Sequence, residues 1–360
     1  MGRTMRILLL SRYQHLGASS RYRSYQYLPY LRSRGHEVAV SPLLSDRYMR
    51  RLYAGESTPV FDVLRSYRRR VGQLLRCGRY DLLWIEYESL PWIPYGLERL
   101  LQGSGTPYVV DYDDAVFHRY DMHHSGVVRR LLGRKIDAVM RDAAAVVAGN
   151  GYLAERARAA GARTIVTIPT VIDPTRSPGT PLPRREPFTI GWVGSPSTSR
   201  YLASIEDALR EVCAGTGTRV IAVGDPGLRL RDVPLESRPW NEATENEETS
   251  SFDVGIMPLP DSPWERGKCG LKLVKYMGCA RAVVASPVGV NRSIVEDGVN
   301  GFLATDTAQW VDALTRLRQD FALRQRMGLA GRAKVERQYS LQTAAPILAS
   351  VLEQSQRPGH

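Results

Sequence analysis

The sequence alternates short, largely apolar runs with amphipathic stretches, and it does so in two separate series. In the first series the runs are RILLL (Arg6–Leu10), 37–43, DLLWIEY (81–87), 108–111, AVVA (Ala145–Ala148) and 164–168. Residues 18–32, 46–78, 127–141 and about 150–160 lie between them and carry helical spacing. A strand that is apolar at every position is buried on both faces, and strand–helix–strand repeats build a parallel sheet covered by helices. The second series opens with FTIGWVG (188–194). It continues through a helix over 202–213, strands at 220–223 and 253–257, a helix from about 270, a strand at Ala282–Ala285, and long helices from about 308. Between the two series, 174–187 reads PTRSPGTPLPRREP, whose five prolines mark a linker. The fold class is therefore α/β, in two domains with a hinge. Open parallel sheets bind ligands at their strand C-termini. Two such domains share a crevice there, lined by loops near 11–20, 86–91, 111–121, 194–200, 224–227, 258–272 and 287–291.

The 360 residues, 43% hydrophobic and 24% charged, exceed what one core usually fills and exclude disorder, collagen and small disulfide scaffolds. No run of about 18 apolar residues exists to span a membrane. The apolar run at 7–10 is strand-length, too short for a signal-peptide core. Cys77, Cys213, Cys269 and Cys279 are scattered without a CxxC pair, which fits a reducing cytoplasm better than a disulfide framework or zinc site.

Net charge is +12, of which residues 1–173 hold +10. A basic half points to an acidic partner. Its densest stretch is Arg65, Arg68, Arg69, Arg70, Arg76 and Arg79, interleaved with Phe61, Leu64, Val71, Leu74 and Leu75 at helical spacing. This reads either as an ordinary solvated helix or as a surface for anionic lipid headgroups. Nucleic acid is not expected, because no DNA- or RNA-binding signature accompanies the charge. Lysine is scarce: five against 44 arginines, three of them at Lys268, Lys272 and Lys275. A compact ammonium suits phosphate.

Four motifs carry candidate chemistry. In GWVGSPST (191–198) a strand ends in Gly194 before a helix start, where backbone N–H groups and the hydroxyls of Ser195, Ser197 and Thr198 suit phosphate; the plain alternative is a Ser/Thr cap. In GKCGLK (267–272) the glycines Gly267 and Gly270 admit a ligand. Lys268 and Lys272, four apart, face one anion, or else form a surface lysine face. The third is Asp111, Tyr112, Asp113 and Asp114, with His118 beyond. It reads as a divalent-cation site, an acceptor-hydroxyl site or helix capping, with His118 as general base. Fourth, Glu86 and Glu88 end the DLLWIEY strand and face either the acceptor or solvent. GxGxxG after the first strand, GxxxxGK[ST] and GxSxG are all missing, which disfavours a dinucleotide oxidoreductase, a P-loop NTPase and an α/β-hydrolase.

Residues 257–304, MPLPDSPWERGKCGLKLVKYMGCARAVVASPVGVNRSIVEDGVNGFLA, resemble the donor-binding region of family-4 glycosyltransferases, as do GWVGSPST and WVDALTRLRQDFALRQRMGLAGRAKVERQYSL. More loosely, the first half resembles the family through MRILLLSRYQHLGASSRYRSYQYLPYLRSRGHEV and VDYDDAVF. The resemblance implies a GT-B fold: two Rossmann-like domains, 1–173 and 188–339, facing a central crevice, with a last helix at about 340–356 crossing back onto the first. It implies retaining transfer of a hexose-type sugar from a UDP- or GDP-linked donor, without metal and without a resident cofactor. The second domain holds the nucleotide and the first the acceptor, with Arg21, Glu86 and Glu88 on the acceptor side. Gly17 and Ala18 approach the donor phosphates, and His118 lies near the transferred sugar.

The chain also departs from the family. Gly267 and Lys275 stand where many members carry two glutamates, and Ser195 where an arginine often binds the diphosphate. Arg200 follows on the same segment, and Lys268 and Lys272 are positioned to restore the positive charge. Pro196, Asp225 and Leu271 complete the candidate donor contacts, Asp225 in the base-recognition loop. The partners expected are the donor, a glycan, lipid-linked or natural-product acceptor, and an anionic membrane surface on the cytoplasmic side. The rivals are a metal-dependent transferase using Asp111, Asp113 and Asp114, a non-catalytic nucleotide-sugar or polyanion binder, and a GT-B epimerase.

Overall fold

The computed structural model describes residues 4–103, 105–180 and 183–356. They divide into two compact units. The first comprises residues up to Thr170, Arg266–Cys269 and those from Gln342 onward; the second comprises Val171–Glu265 and Gly270–Leu341.

The first unit holds strands β1 (Arg6–Leu10), β2 (Glu37–Val40), β3 (Leu82–Glu86), β4 (Tyr108–Tyr112), β5 (Ala145–Ala148) and β6 (Ile165–Thr167). They form one parallel sheet in the order β2-β1-β3-β4-β5-β6, with Leu9 opposite Trp84 and Ile85 opposite Val110. Every residue of β3, β4 and β5 is buried, as largely apolar strands between helical layers are, and the carboxylates Glu86 and Asp111 are buried with them. The order reverses between β1 and β3, so the loops after these two strands are neighbours. The last helix, Leu341–Gln354, packs in this unit through Leu348, Ala349 and Leu352, and its Glu353 pairs with Arg34 and His36 at 3.0 Å each.

The second unit holds β7 (Phe188–Val193), β8 (Thr218–Val223), β9 (Leu235–Arg238), β10 (Val254–Met257), β11 (Ala282–Ala285) and β12 (Gly301–Leu303), all parallel, in the order β12-β11-β10-β7-β8-β9. Its switch point lies between β7 and β10, which sets the loop after Val193 beside the loop after Met257.

The sequence pattern predicts ten of the twelve strands found among the described residues. The other two, β9 and β12, are edge strands: LESR carries charge, and GFL is three residues long. The helix expected over 127–141 is two, Gly126–Leu132 and Lys135–Asp142. That expected over 202–213 is also two, Arg200–Ala203 and Glu206–Cys213. The proline-rich segment packs on the second unit. Arg332 donates to the carbonyls of Pro174 (2.9 Å) and Ser177 (3.3 Å), and Arg281 to that of Thr180 (2.7 Å). Residues 181 and 182 of that segment lie outside the described residues.

Candidate functional site

At the second unit's switch point the chain leaves β7 through Gly194, where an added Cβ would lie 2.2 Å from the Trp192 ring. The Ser195 N–H donates to Thr198 Oγ1 (3.0 Å), the Thr198 N–H to the Ser195 carbonyl (2.9 Å), and Ser195 Oγ lies 2.9 Å from Ser197 Oγ. Pro196 and Ser197 are exposed at the tip. This self-bonded hydroxyl turn corrects the expected helix start, since only the four-residue helix Arg200–Ala203 follows. Arg200 is mostly exposed. Its Nη2 lies 3.3 Å from the Tyr201 hydroxyl and 3.8 Å from Glu265, which Tyr201 and Ser262 also hold. In the neighbouring loop the Asp225 carboxylate accepts from the Gly227 N–H at 3.1 Å, closing its own turn.

The three clustered lysines serve three different places. Gly270 adopts φ +67°, and the helix Leu271–Gly278 starts only at Leu271. Lys268 therefore precedes the helix, and its four-residue separation from Lys272 is not a helical spacing. The Lys272 ammonium stands 4.2 Å over the Trp192 ring. Lys275 is buried in the second unit against Glu245, so its expected donor contact is replaced by an internal ion pair.

Lys268 belongs to the first unit, in the segment Arg266–Cys269. The buried Asn150 side chain holds that segment, its Nδ2 donating to the carbonyls of Gly267 (2.9 Å) and Lys268 (3.0 Å). Its Oδ1 caps the helix Gly151–Ala159 by accepting from the Leu153 N–H (3.0 Å). Gly267 packs so closely that a Cβ would lie 2.7 Å from the Ala115 backbone nitrogen. The Lys268 ammonium lies 3.4 Å from Asp114, whose carboxyl burial raises and Lys268 lowers, to a net rise.

The aspartates diverge. Asp111 is buried in a bidentate pair with Arg23 (2.7 and 3.0 Å). Burial lowers the Arg23 guanidinium, and Asp111 more than restores it, holding it above its ordinary value. Asp113 accepts from the Tyr87 hydroxyl, which also reaches Ser19 at 3.1 Å. Each carboxylate has its own partner, and among the described residues no group of three His, Cys, Asp or Glu side chains is placed to hold a metal ion. The cation-site reading of 111–114 is corrected accordingly. His118 Nδ1 lies 2.8 Å from Asp121, and its Nε2 lies 2.8 Å from the Tyr152 hydroxyl. A substrate hydroxyl reaches either ring nitrogen only by displacing a partner.

Gly17 precedes the six-residue helix Ala18–Arg23, with Ala18 exposed. A Cβ at 17 would meet Tyr13 at 2.3 Å, so the glycine has a packing reason of its own. Arg21 donates to the His15 carbonyl at 3.1 Å.

No curated protein matches the sequence. Residues 188–320, which contain all six strands of the second unit's sheet, match the family model described as Glycosyl transferases group 1. The chain is a glycosyltransferase. Its fold is GT-B, shared with solved structures over nearly its whole length. Sucrose-phosphate synthase from Thermosynechococcus elongatus is 15% identical, with a TM-score of 0.72, covering 98% of this chain and 99% of that one. Anabaena HepE, solved in complex with UDP-glucose, is 17% identical with a TM-score of 0.69, covering 97% and 99%. WaaG, a glycosyltransferase involved in lipopolysaccharide biosynthesis, is 14% identical with a TM-score of 0.68, covering 97% and 99%. At these identities the likeness is one of fold.

In this glycosyltransferase Glu86 and Glu88 do not face an acceptor, and that expectation is corrected: both are buried. Glu86 accepts from the Arg12 N–H (2.9 Å) and Ser20 Oγ (2.6 Å), tying the loop after β1 to β3. Burial raises its carboxyl to about 7, against the lowering pull of those two bonds. Glu88 accepts from the Tyr120 hydroxyl (2.9 Å) and pairs with Lys135 (2.7 Å) and Arg12 (3.4 Å); Lys135 also reaches Glu98 at 3.4 Å. Arg12, Arg23, Tyr87, Lys135 and Asn150 were not picked out from the sequence. The scarcity of lysine that marked 268–275 applies equally to Lys135; for Asn150 the signal was its capping position ahead of a helix.

Proposed function

We propose that the glycosyltransferase moves a hexose-type sugar from a UDP- or GDP-linked donor to a glycan, lipid-linked or natural-product acceptor, with retention and without a metal ion. The observation that carries this reading is the match of 188–320 to Glycosyl transferases group 1, with the hydroxyl turn 194–200 at that unit's switch point. UDP-glucose bound to the similarly folded HepE supports a nucleotide-sugar donor.

In this reading the second unit holds the nucleotide. The 194–198 turn, Arg200, Asp225, Gly270 and Leu271 are its donor contacts, with Lys272 the main cation for the diphosphate. As the glycosidic bond breaks, negative charge grows on the leaving diphosphate, and fixed cations and N–H groups stabilise it at no reorganisation cost. Loss of one such contact slows transfer by about 10²–10³. The sugar passes through an oxocarbenium-like state. Retention follows from attack on the face the leaving group departs, with the leaving phosphate oxygen taking the acceptor proton. From the first unit, Lys268 beside Asp114 is a second charged group for the donor, Gly17 and Ala18 approach its phosphates, and His118 and Asp113 address the sugar. Of the acceptor candidates only Arg21 remains. The acceptor is anionic, at an anionic membrane on the cytoplasmic side, matching the +10 balance of residues 1–173.

The test is sugar transfer from a panel of nucleotide-sugars in excess chelator. Nucleotide released only with acceptor, and insensitive to chelator, is the expected result. Activity that requires manganese overturns the metal-free mechanism. Binding without turnover favours the non-catalytic alternative, which the loss of both family carboxylates, at Gly267 and Lys275, recommends.

A further inference from the structure

Two helices of the first unit, Asp46–Tyr53 and Val60–Leu74, flank a cavity of about 440 Å³. Its wall carries Arg47, Arg51, Arg65, Arg68 and Arg69 against one lining carboxylate, Asp62. Some of this charge is committed. Arg69 donates to the Pro42 carbonyl at 2.6 Å, and Arg51 Nε lies 3.2 Å from Glu56. The remainder is not: Arg51 Nη1 is buried with no hydrogen-bond partner, and no carboxylate pairs with Arg47, Arg65 or Arg68 among the described residues. Five guanidinium groups gathered around one cavity repel one another unless an anion sits among them, and phosphate matches their planar donor geometry.

The surroundings of the cavity choose between sources of that phosphate. Val60 and Phe61 are each 73% exposed and Leu64 is 62% exposed, on the helix that supplies Arg65 and Arg68. Phe61, Leu64, Arg65 and Arg68 fall on one stripe at i, i+3, i+4 and i+7. A nucleic acid or a free phosphate compound would use the cations and leave these apolar side chains in water. A bilayer offers both partners together, phosphate headgroups at the surface and an apolar interior beneath them.

We propose that this cavity binds the phosphate headgroup of an anionic phospholipid, with Val60, Phe61 and Leu64 entering the bilayer alongside it. This rests on the membrane-facing reading of the first unit. Its test uses neither donor nor acceptor, so vesicle binding and sugar transfer fail separately.

The experiment is co-sedimentation of the full chain with vesicles of phosphatidylcholine alone, or with one third replaced by phosphatidylglycerol. Wild type is expected to sediment only with the anionic vesicles. At about fivefold per arginine, the pair Arg51→Ala and Arg65→Ala should weaken binding about 30-fold. The pair Phe61→Ser and Leu64→Ser should remove the part that survives raised salt. Arg326→Ala with Arg337→Ala, on the second unit, should change nothing. All three double variants should keep wild-type nucleotide affinity, which shows that they are folded. Failure of wild type to bind, equal loss in the Arg326/Arg337 control, displacement by inorganic phosphate at the lipid phosphate concentration, or tighter binding to a short DNA duplex would each overturn the proposal.

Discussion

Replacing Asn150 by alanine should reach both the stability of the first unit and the donor chemistry. The buried amide makes one bond as a helix cap, at 3.0 Å to the Leu153 N–H, and two as a latch, at 2.9 and 3.0 Å to the carbonyls of Gly267 and Lys268. Loss of a cap costs about 1 kcal/mol. Loss of the latch costs about 1 kcal/mol for each carbonyl left without its donor, so the total is about 3 kcal/mol. For a unit of this size that lowers the unfolding midpoint by about 6–12 °C. Freed from the latch, Lys268 should also lose its place beside Asp114, and nucleotide-sugar affinity should fall. Asn150→Asp separates the two roles. It keeps the cap acceptor but sets a second oxygen against two carbonyl oxygens. Burial and that repulsion raise the new carboxyl above its ordinary value. Its protonated form can still donate, so the stability of this variant should be greatest at low pH and be lost as pH rises through the raised value. The assay is thermal unfolding followed by circular dichroism at several pH values, with calorimetric titration of nucleotide. A midpoint shift under about 2 °C for Asn150→Ala, with unchanged affinity, would refute the latch.

Three further perturbations follow from the first unit's interior. The Glu86 carboxyl is raised from 4.5 to about 7 by burial, so the stability its protonated form supplies is complete below about 4.5 and lost as pH rises through about 7. Glu86→Gln should therefore raise the urea midpoint near about pH 8 and leave it unchanged near about pH 4; an identical pH slope in both proteins would count against the burial argument. Lys135→Met removes the cation between Glu88 and Glu98 and should cost about 3–5 kcal/mol in urea unfolding, because two buried carboxylates lose their shared partner. Gly267→Ala forces a Cβ against the Ala115 backbone. It should cost about 1–3 kcal/mol and slow sugar transfer, read by nucleotide release, whereas Gly151→Ala, at an open position, should do neither.

The fold was legible because its information is local. DLLWIEY and FTIGWVG are apolar at most positions on both faces, which two-faced burial explains, and the prolines of 174–187 separate the two series. Edge strands β9 and β12 were missed because an edge strand needs no continuous apolar run. The site was less legible, because its contacts are long-range. Glu86 and Glu88 end a strand exactly as an acceptor-facing pair would, but Ser20, Arg12, Lys135 and Tyr120 fold over them and turn them inward. Lys268 and Lys272 are four residues apart, but the left-handed Gly270 between them breaks the helical spacing on which their pairing depended. The scarcity of lysine does not distinguish an ammonium held over Trp192 from one spent on Glu245.

The measurement closest to the central claim is calorimetric titration with UDP, GDP, dTDP and ADP in the presence of chelator, on wild type, Lys272→Ala and Lys275→Ala. One nucleotide should bind wild type without metal. Removal of the Lys272 ammonium should weaken that nucleotide about tenfold or more, a loss of about 1.4 kcal/mol. Lys275→Ala should lower stability while its folded fraction binds as wild type does. If no nucleotide binds, or if Lys272→Ala binds as tightly as wild type, the proposed donor site is wrong.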